Sequence, residues 1–277
     1  MAERRRRRLR LAGRYLLMTG LALVVLFPIY ITVVNSLLRP DQIAARPPSL
    51  FPTDPQWSSY RIAWTDGHMG RYLLNSAIVT TAIMVGQVVL AILAAYAFAF
   101  LEFPGRGVLF VVFLATMMVP FEVVFFTNYH TIADLGLLDT YGGLILPFLA
   151  TGFGAFLLRQ AFLTVPRDLR DAAALDGYGH FRFLWHVAVP LARPTVAALG
   201  VFAFLSAWGQ YLWPLVATND EHARTVQVGL RQLRDTSLDN INVTFAGVVL
   251  ASIPLVLLLL VFQRQLVRGL TAGAVKG

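Results

Sequence analysis

The 277-residue chain has no cysteine and a single lysine, Lys276. The first absence excludes disulfides, zinc–thiolate centres and thiol nucleophiles. The second removes the residue that a phosphate-cradling G-x-x-x-x-G-K-[ST] loop requires, which excludes that loop as a nucleotide site. Histidine is scarce too: His68, His130, His180, His186 and His222 form no metal-binding spacing, and lone surface histidines are the simpler reading. Charged residues make up only 14% of the chain, against about 25% in soluble domains. No internal repeat with a period of about 20–50 residues is visible, and the one low-complexity tract is Arg4–Arg8.

Apolar residues are abundant. They make up 57% of the chain, with a mean hydropathy of +0.65, which points to an integral membrane protein of all-α class. Six stretches are long enough to cross about 30 Å of hydrocarbon as helices. They lie near residues 15–38, 73–101, 107–126, 141–163, 194–217 and 244–263. The second is uncharged from Tyr72 to Leu101, whereas Glu122 interrupts the third and belongs near an interface or a water-filled path. The net charge of +8 is gathered beside the apolar runs, which marks orientation and not nucleic-acid binding. With the N-terminus inside, 16 of the 23 basic residues fall on the inner face and the segment from Thr127 to Thr140 on the outer face has none. Both termini and the segment 164–193 are then cytoplasmic. The first apolar run is about twice a typical signal core and no small-residue cleavage motif follows it, so it reads as a retained helix.

This gives a basic cytoplasmic N-terminus over 1–14, a membrane domain over 15–270 and a short cytoplasmic tail over 271–277. The outer loop at 39–71, with Pro40, Pro47, Pro48, Pro52 and Pro55 beside Trp57 and Tyr60, reads as an extended cover at the interface. Asn128 to Leu138 reads as a short interfacial helix turn, and 218–243 as a polar outer loop.

The segment 164–193 is a polar island between apolar runs. Pro166 suits a first helical position, Asp168 suits the first turn, and Gly177 suits a left-handed helix end. Leu169, Ala172, Ala173 and Asp176 share one face by helical spacing, with Ala172 and Ala173 forming a small-residue docking surface. A second stretch places Phe181, Leu184, Trp185 and Ala188 on a bulky face for packing back on the membrane domain, and Pro190 stops it. Periodicity alone leaves open an interfacial helix pair that merely connects two spans.

The spacing within the island resembles the EAA loop of ABC-importer permeases, E-A-A-x3-G-x9-I-x-L-P. Asp171, Ala172, Ala173, Gly177, Val187, Val189 and Pro190 occupy its seven places. Val165-Pro166, Asp176-Gly177, Pro194, Tyr211-Leu212-Trp213-Pro214, Met118-Val119-Pro120 and Leu135-Gly136-Leu137 extend the likeness to the carbohydrate-uptake branch of that family, as does the terminal Gly-Leu-Thr-Ala-Gly-Ala-Val-Lys-Gly. Three positions depart from it: Asp171 replaces the usual Glu, Tyr178 a usual Ala, and Gly209 a common Asn.

The resemblance implies a type I ABC-importer permease fold with six transmembrane helices and a cytoplasmic coupling helix. Its coupling residues would be Asp171, Ala172, Ala173, Asp176, Gly177 and Pro190. It implies a second homologous permease in a heterodimer, two cytoplasmic ATP-binding subunits holding ATP and Mg, and an extracytoplasmic solute-binding protein, all in a bacterial or archaeal inner membrane. The chain itself would be no enzyme and would hold no cofactor. Polar and aromatic residues at membrane depth are the candidates for the solute path: Glu122, Asn128, Trp208, Gln210, Tyr211 and Trp213. Tyr211 and Trp213 have a second reading as interfacial anchors. Within the family, the stretches around Pro120 and Gln210 look most like permeases for glycerol 3-phosphate or glycerophosphodiesters, with di- and oligosaccharide permeases nearly as close. An ion-coupled carrier or channel is the rival, and the ionisable midplane residues and inverted repeats expected of it are not evident.

Overall fold

The computed structural model describes residues 2–237 and 239–271, with side chains described over 11–237 and 239–263. Lys276 and the expected tail beyond Thr271 lie outside the described residues, as do Met1 and the side chains of Arg4–Arg8 and Arg10. The described chain is helical, with no strand. Its helices are α1 (Ala2–Leu37), α2 (Pro40–Ala44), α3 (Ser58–Thr65), α4 (Met69–Phe100), α5 (Arg106–Ala115), α6 (Phe121–Asp134), α7 (Tyr141–Ile145), α8 (Gly152–Leu163), α9 (Arg167–Leu175), α10 (His180–Phe183), α11 (Val189–Leu191), α12 (Arg193–Trp208), α13 (Leu212–Ala217), α14 (Val226–Thr236) and α15 (Ile241–Thr271). Two compact units result, one of Met1–Gly70 with Gly229–Ile253, the other of Arg71–Val228 with Pro254–Gly277.

Three stretches are single helices long and apolar enough to cross a membrane: Leu11–Leu37, Met69–Phe100 and Ile241–Gln263. The other three expected spans are broken. Residues 107–126, expected as one helix, turn by 95° between Arg106–Met118 and Phe121–Asp134. The cause is Pro120, which forces Val119 into extended backbone (φ −79°, ψ 114°) and then caps α6. Helix α6 therefore takes in most of the segment expected as an interfacial helix turn, which is helical but continuous with the residues after Pro120. Residues 141–163 bend by 50° between Phe148 and Gly152. Residues 194–217 divide at Gly209–Tyr211, so α13 is a separate short helix.

A helix broken at membrane depth leaves carbonyls without partners, and these must be met from within the protein. Gln87 Nε2 donates to Phe148 O at 2.7 Å, and Gln227 Nε2 to Trp208 O at 3.3 Å. The C-terminal end of α4 is closed by two arginines: Arg159 Nε donates to Phe98 O at 3.2 Å and Arg106 Nη1 to Leu101 O at 2.8 Å. The Arg159 guanidinium also lies 4.2 Å over the Phe110 ring, tying α8 to α5.

Helix α4 is the axis of the second unit. Val79 and Ile83 serve a cluster near its start with Ile132, Leu144, Ala207, Trp213 and Ala217. Further along, Ala91, Ile92, Ala95, Tyr96 and Phe100 pack with Leu158, Phe162, Ala173, Phe183, Leu184, Ala188 and Leu199. Steps of four residues align Val79 with Ile83, Ala91 with Ala95, and Ile92 with Tyr96 and Phe100, so α4 is buried on more than one face. In the first unit, Ser36 Oγ and Tyr60 Oη share a hydrogen bond of 2.7 Å, and Asn242 Nδ2 donates to Ser59 Oγ at 2.9 Å.

Candidate functional site

The island between α8 and α12 starts at Pro166, which is the N-cap of α9, one residue earlier than its expected place inside the helix. Asp168 sits in the first turn, as the helix dipole favours. The C-terminal end is a complete Schellman motif. Tyr178 N donates to Ala173 O at 2.8 Å and Gly177 N to Ala174 O at 3.0 Å, with Gly177 at φ +74°. Glycine adopts that conformation without the steric cost that a β-carbon meets.

Asp171, Ala172, Asp176 and Gly177 are exposed. Ala173 is not: at 7% exposure it packs inward against the α4 cluster. The expected two-alanine docking face is thus divided, because adjacent helical residues point about 100° apart. Ala172 faces outward and Ala173 anchors the helix. Tyr178 adds a second anchor: its ring carries the Arg182 guanidinium at 4.3 Å and meets His186 edge-on at 6.2 Å.

The second stretch differs from its expected phasing. Phe183, Leu184 and Ala188 are buried, whereas Phe181 and Trp185 are 70% and 38% exposed. A π-helical turn at Leu184–Ala188 shifts the faces, and Pro190 does not end the helix but lies within α11. Proline has no N–H and its ring crowds the carbonyl four residues back, and a widened turn just before it accommodates both. The chain then turns by 81° into α12. The outward side of the island consequently carries Leu169, Leu175, Phe181 and Leu191 among its charges.

The candidate path residues divide into two groups. Trp213 and Trp208 are each 2% exposed and are packed core side chains. Trp213 Nε1 donates to Gly143 O at 3.1 Å and its ring meets Phe121, Phe125 and Phe148 edge to face. Trp208 stacks on Phe204 at 5.6 Å. Glu122 is exposed in the first turn of α6, immediately after the Pro120 bend, and Asn128 is half-buried two turns on. Gln210 and Tyr211 are half-buried at the break between α12 and α13. The structure therefore places Glu122, Gln210 and Tyr211 beside helix breaks and Asn128 within α6.

Two polar assemblies were not anticipated. At the start of α4, Asn75 Nδ2 donates to His222 O at 2.7 Å and Arg224 O at 2.8 Å, while its Oδ1 accepts from Tyr141 Oη at 2.7 Å. Ser76 Oγ accepts from Val226 N at 2.7 Å. Asp139 completes this latch, accepting from the backbone N–H groups of Asp220 (2.7 Å) and Asn219. The Asp220 N–H, with that of Asn219, holds its carboxyl below the usual carboxylate value despite some desolvation. At the far end of α4, Tyr96 Oη and His180 Nδ1 lie 3.0 Å apart and join α4 to the start of α10. Asn75 and Ser76 carried a signal, as polar residues in an apolar run, but Asp139 and Tyr96 carried none.

Long apolar helices, broken spans and a capped amphipathic helix packed against α4 define a polytopic membrane protein of the permease class. Residues 86–272 match the binding-protein-dependent transport system inner membrane component family. The chain is 40% identical over 269 residues to the sn-glycerol-3-phosphate transport system permease protein UgpE of Brucella abortus (strain 2308), covering 94% of this chain and 95% of that one. It is 38% identical over 270 residues to the protein of the same name from Agrobacterium fabrum, with the same coverage. In fold it is similar to a chain of a bacterial ABC transporter involved in the import of the acidic polysaccharide alginate, with a TM-score of 0.82, 24% identity, and coverage of 93% and 96% of the two chains. The chain belongs to the family of binding-protein-dependent inner membrane components, the permease subunits of ABC importers. It is a multi-pass cell-membrane protein, a transport subunit and not an enzyme, and it works with a solute-binding protein.

Proposed function

We propose that this chain carries a sugar-like or glycerol 3-phosphate-like solute across the membrane by alternating access, driven through α9 by a separate ATPase. The observation that carries this reading is α9 itself. It is fixed on the membrane domain by Ala173 and Tyr178, yet turns Asp171, Ala172, Asp176 and Gly177 outward with Leu169 and Leu175 beside them. A helix rigidly capped at one end, with apolar and charged groups on its outer side, transmits a push from a partner without deforming. In this reading the first two bent pairs and α12 join the three single helices as spans, giving six, and the termini and residues 164–193 face the cytoplasm, as the arginine distribution favours. Two ATP-binding subunits hold ATP and Mg, and a second homologous permease completes the path. Pro190 supports the joint that carries the motion into α12.

The solute assignment draws on the names of the relatives, glycerol 3-phosphate for one group and alginate for another. Glu122, Asn128, Gln210 and Tyr211 are the residues of this chain that would face the solute, and Trp208 and Trp213 set the backbone around them. Residues 107–158 contain no arginine or lysine, so a phosphorylated solute would draw its counter-charge from the partner permease.

Gly177 provides the test. No atom of the chain outside its own turn lies within 4 Å of where a β-carbon would sit, so a bulky side chain there projects outward without crowding this chain. Gly177→Ala should lose only the left-handed preference, about 1–2 kcal/mol, and keep most uptake. Gly177→Trp should abolish uptake while membrane levels stay normal. Normal uptake by the tryptophan variant would remove α9 from the docking role.

A further inference from the structure

A cavity of about 540 Å³ opens between the α4–α5 turn and the corner joining α8 to α9. That volume falls in the range of about 300–1,000 Å³ typical of small-ligand sites. Its wall is apolar on one side, from Phe162 and Leu163, and charged on the other. The charges are Arg106, Arg167 and Arg170 against Glu102 and Asp171. Arg106 is held in place by its bond to Leu101 O. Arg167 and Arg170 make no hydrogen bond or ion pair with any described residue.

Three guanidinium groups outnumber the two carboxylates, and the first turn of α9 adds the partial positive charge of a helix N-terminus. Guanidinium forks match phosphate oxygens in geometry and in charge. The concave shape and apolar wall fit a compact anion bearing a hydrocarbon portion better than the convex surface of a protein partner. Basic pockets beside membrane helices hold lipid headgroups by this chemistry.

We propose that this cavity binds a phosphate anion, through Arg106, Arg167 and Arg170, at the end of the membrane domain where α9 is seated. The phosphate comes either from an anionic phospholipid headgroup or from solution. The proposal concerns binding alone and holds whichever solute is transported, so its test reads binding and not uptake.

The full-length chain is exchanged into phosphatidylcholine bilayers with or without phosphatidylglycerol, and retained lipid is read by native mass spectrometry. In parallel it is titrated with inorganic phosphate by calorimetry. Arg167→Gln and Arg170→Gln should each weaken binding by about five-fold, and Glu102→Gln should strengthen it. The opposite signs separate a charge effect from loss of folding, and Arg170→Lys, which keeps charge but loses the fork, should fall between. Selective retention of phosphatidylglycerol places the source in the bilayer, and binding of inorganic phosphate places it in solution; either supports the site. Binding unchanged in the double glutamine variant would overturn it. So would weakening by Glu102→Gln, or loss only of association with an ATP-binding subunit while phosphate binding stays intact.

Discussion

Replacing Asn75 by alanine removes three hydrogen bonds at one stroke. Its side chain is 2% exposed and joins α4 to the carbonyls of His222 and Arg224 and to the hydroxyl of Tyr141. A typical intramolecular hydrogen bond contributes about 0.5–1.5 kcal/mol net, and a buried group left unpaired costs about 1–3 kcal/mol. His222 is exposed, so water can reach part of what is orphaned. The cost should therefore be about 2–3 kcal/mol, in the lower part of the summed range. Tyr141→Phe removes one of the three bonds and should cost about 1 kcal/mol. Since both act on a shared contact, the double variant should fall short of the sum by about 0.5–1 kcal/mol. Reversible unfolding in mixed detergent micelles measures all three, and limited proteolysis of the 218–225 loop reports whether the loosening is local. A cost below about 0.5 kcal/mol for Asn75→Ala, or strict additivity with Tyr141→Phe, would refute the latch.

Two further outcomes are expected of the same region. At Gly143 a β-carbon would overlap the Leu137 carbonyl oxygen and lie 3.0 Å from Ile132 Cγ2, so Gly143→Ala should destabilise by at least the about 1–3 kcal/mol of an overpacked core, with Trp213 fluorescence reporting the shift. Asp139 has its folded-state pKa depressed, so its contribution is complete above the unfolded carboxylate range near about 3.9 and is lost as pH falls through the folded value. Amide exchange at Asn219 and Asp220, corrected for its intrinsic pH dependence, should show protection unchanged from neutral pH to about 4. It should loosen only in stronger acid, and Asp139→Asn should be less protected at every pH.

Much of the fold could be read from single residues. The uncharged run from Tyr72 to Leu101 marked α4, and Gly177 marked the end of α9. Pro120 was visible too, but a hydropathy window averages across a break, so a 95° bend read as a continuous span. The π-helical turn at Leu184–Ala188 has no composition signature, and neither Trp185 within it nor Phe181 before it is buried as the spacing suggested. The island was legible because its motif is a fixed spacing along one chain segment. The contacts of Asn75, Asp139 and Trp213 were not, because their partners lie about 65–150 residues away in sequence and only tertiary packing brings them together. Trp213 shows the consequence: an aromatic near a membrane interface suits a solute ring, a lipid interface or a core, and only the tertiary fold shows its ring buried with a bond to Gly143 O.

The central claim is that α9 receives force from an ATP-binding subunit. Because the chain has no cysteine, a single Ala172→Cys on the exposed side of α9 is a unique handle on this chain. Disulfide cross-linking to a cysteine placed in the receiving groove of the ATP-binding subunit should occur at Ala172, with a yield that changes when ATP is bound. Val123→Cys, on an exposed face of α6, should not cross-link. Absence of a cross-link from Ala172, or equal yields from Ala172 and Val123, would contradict the account.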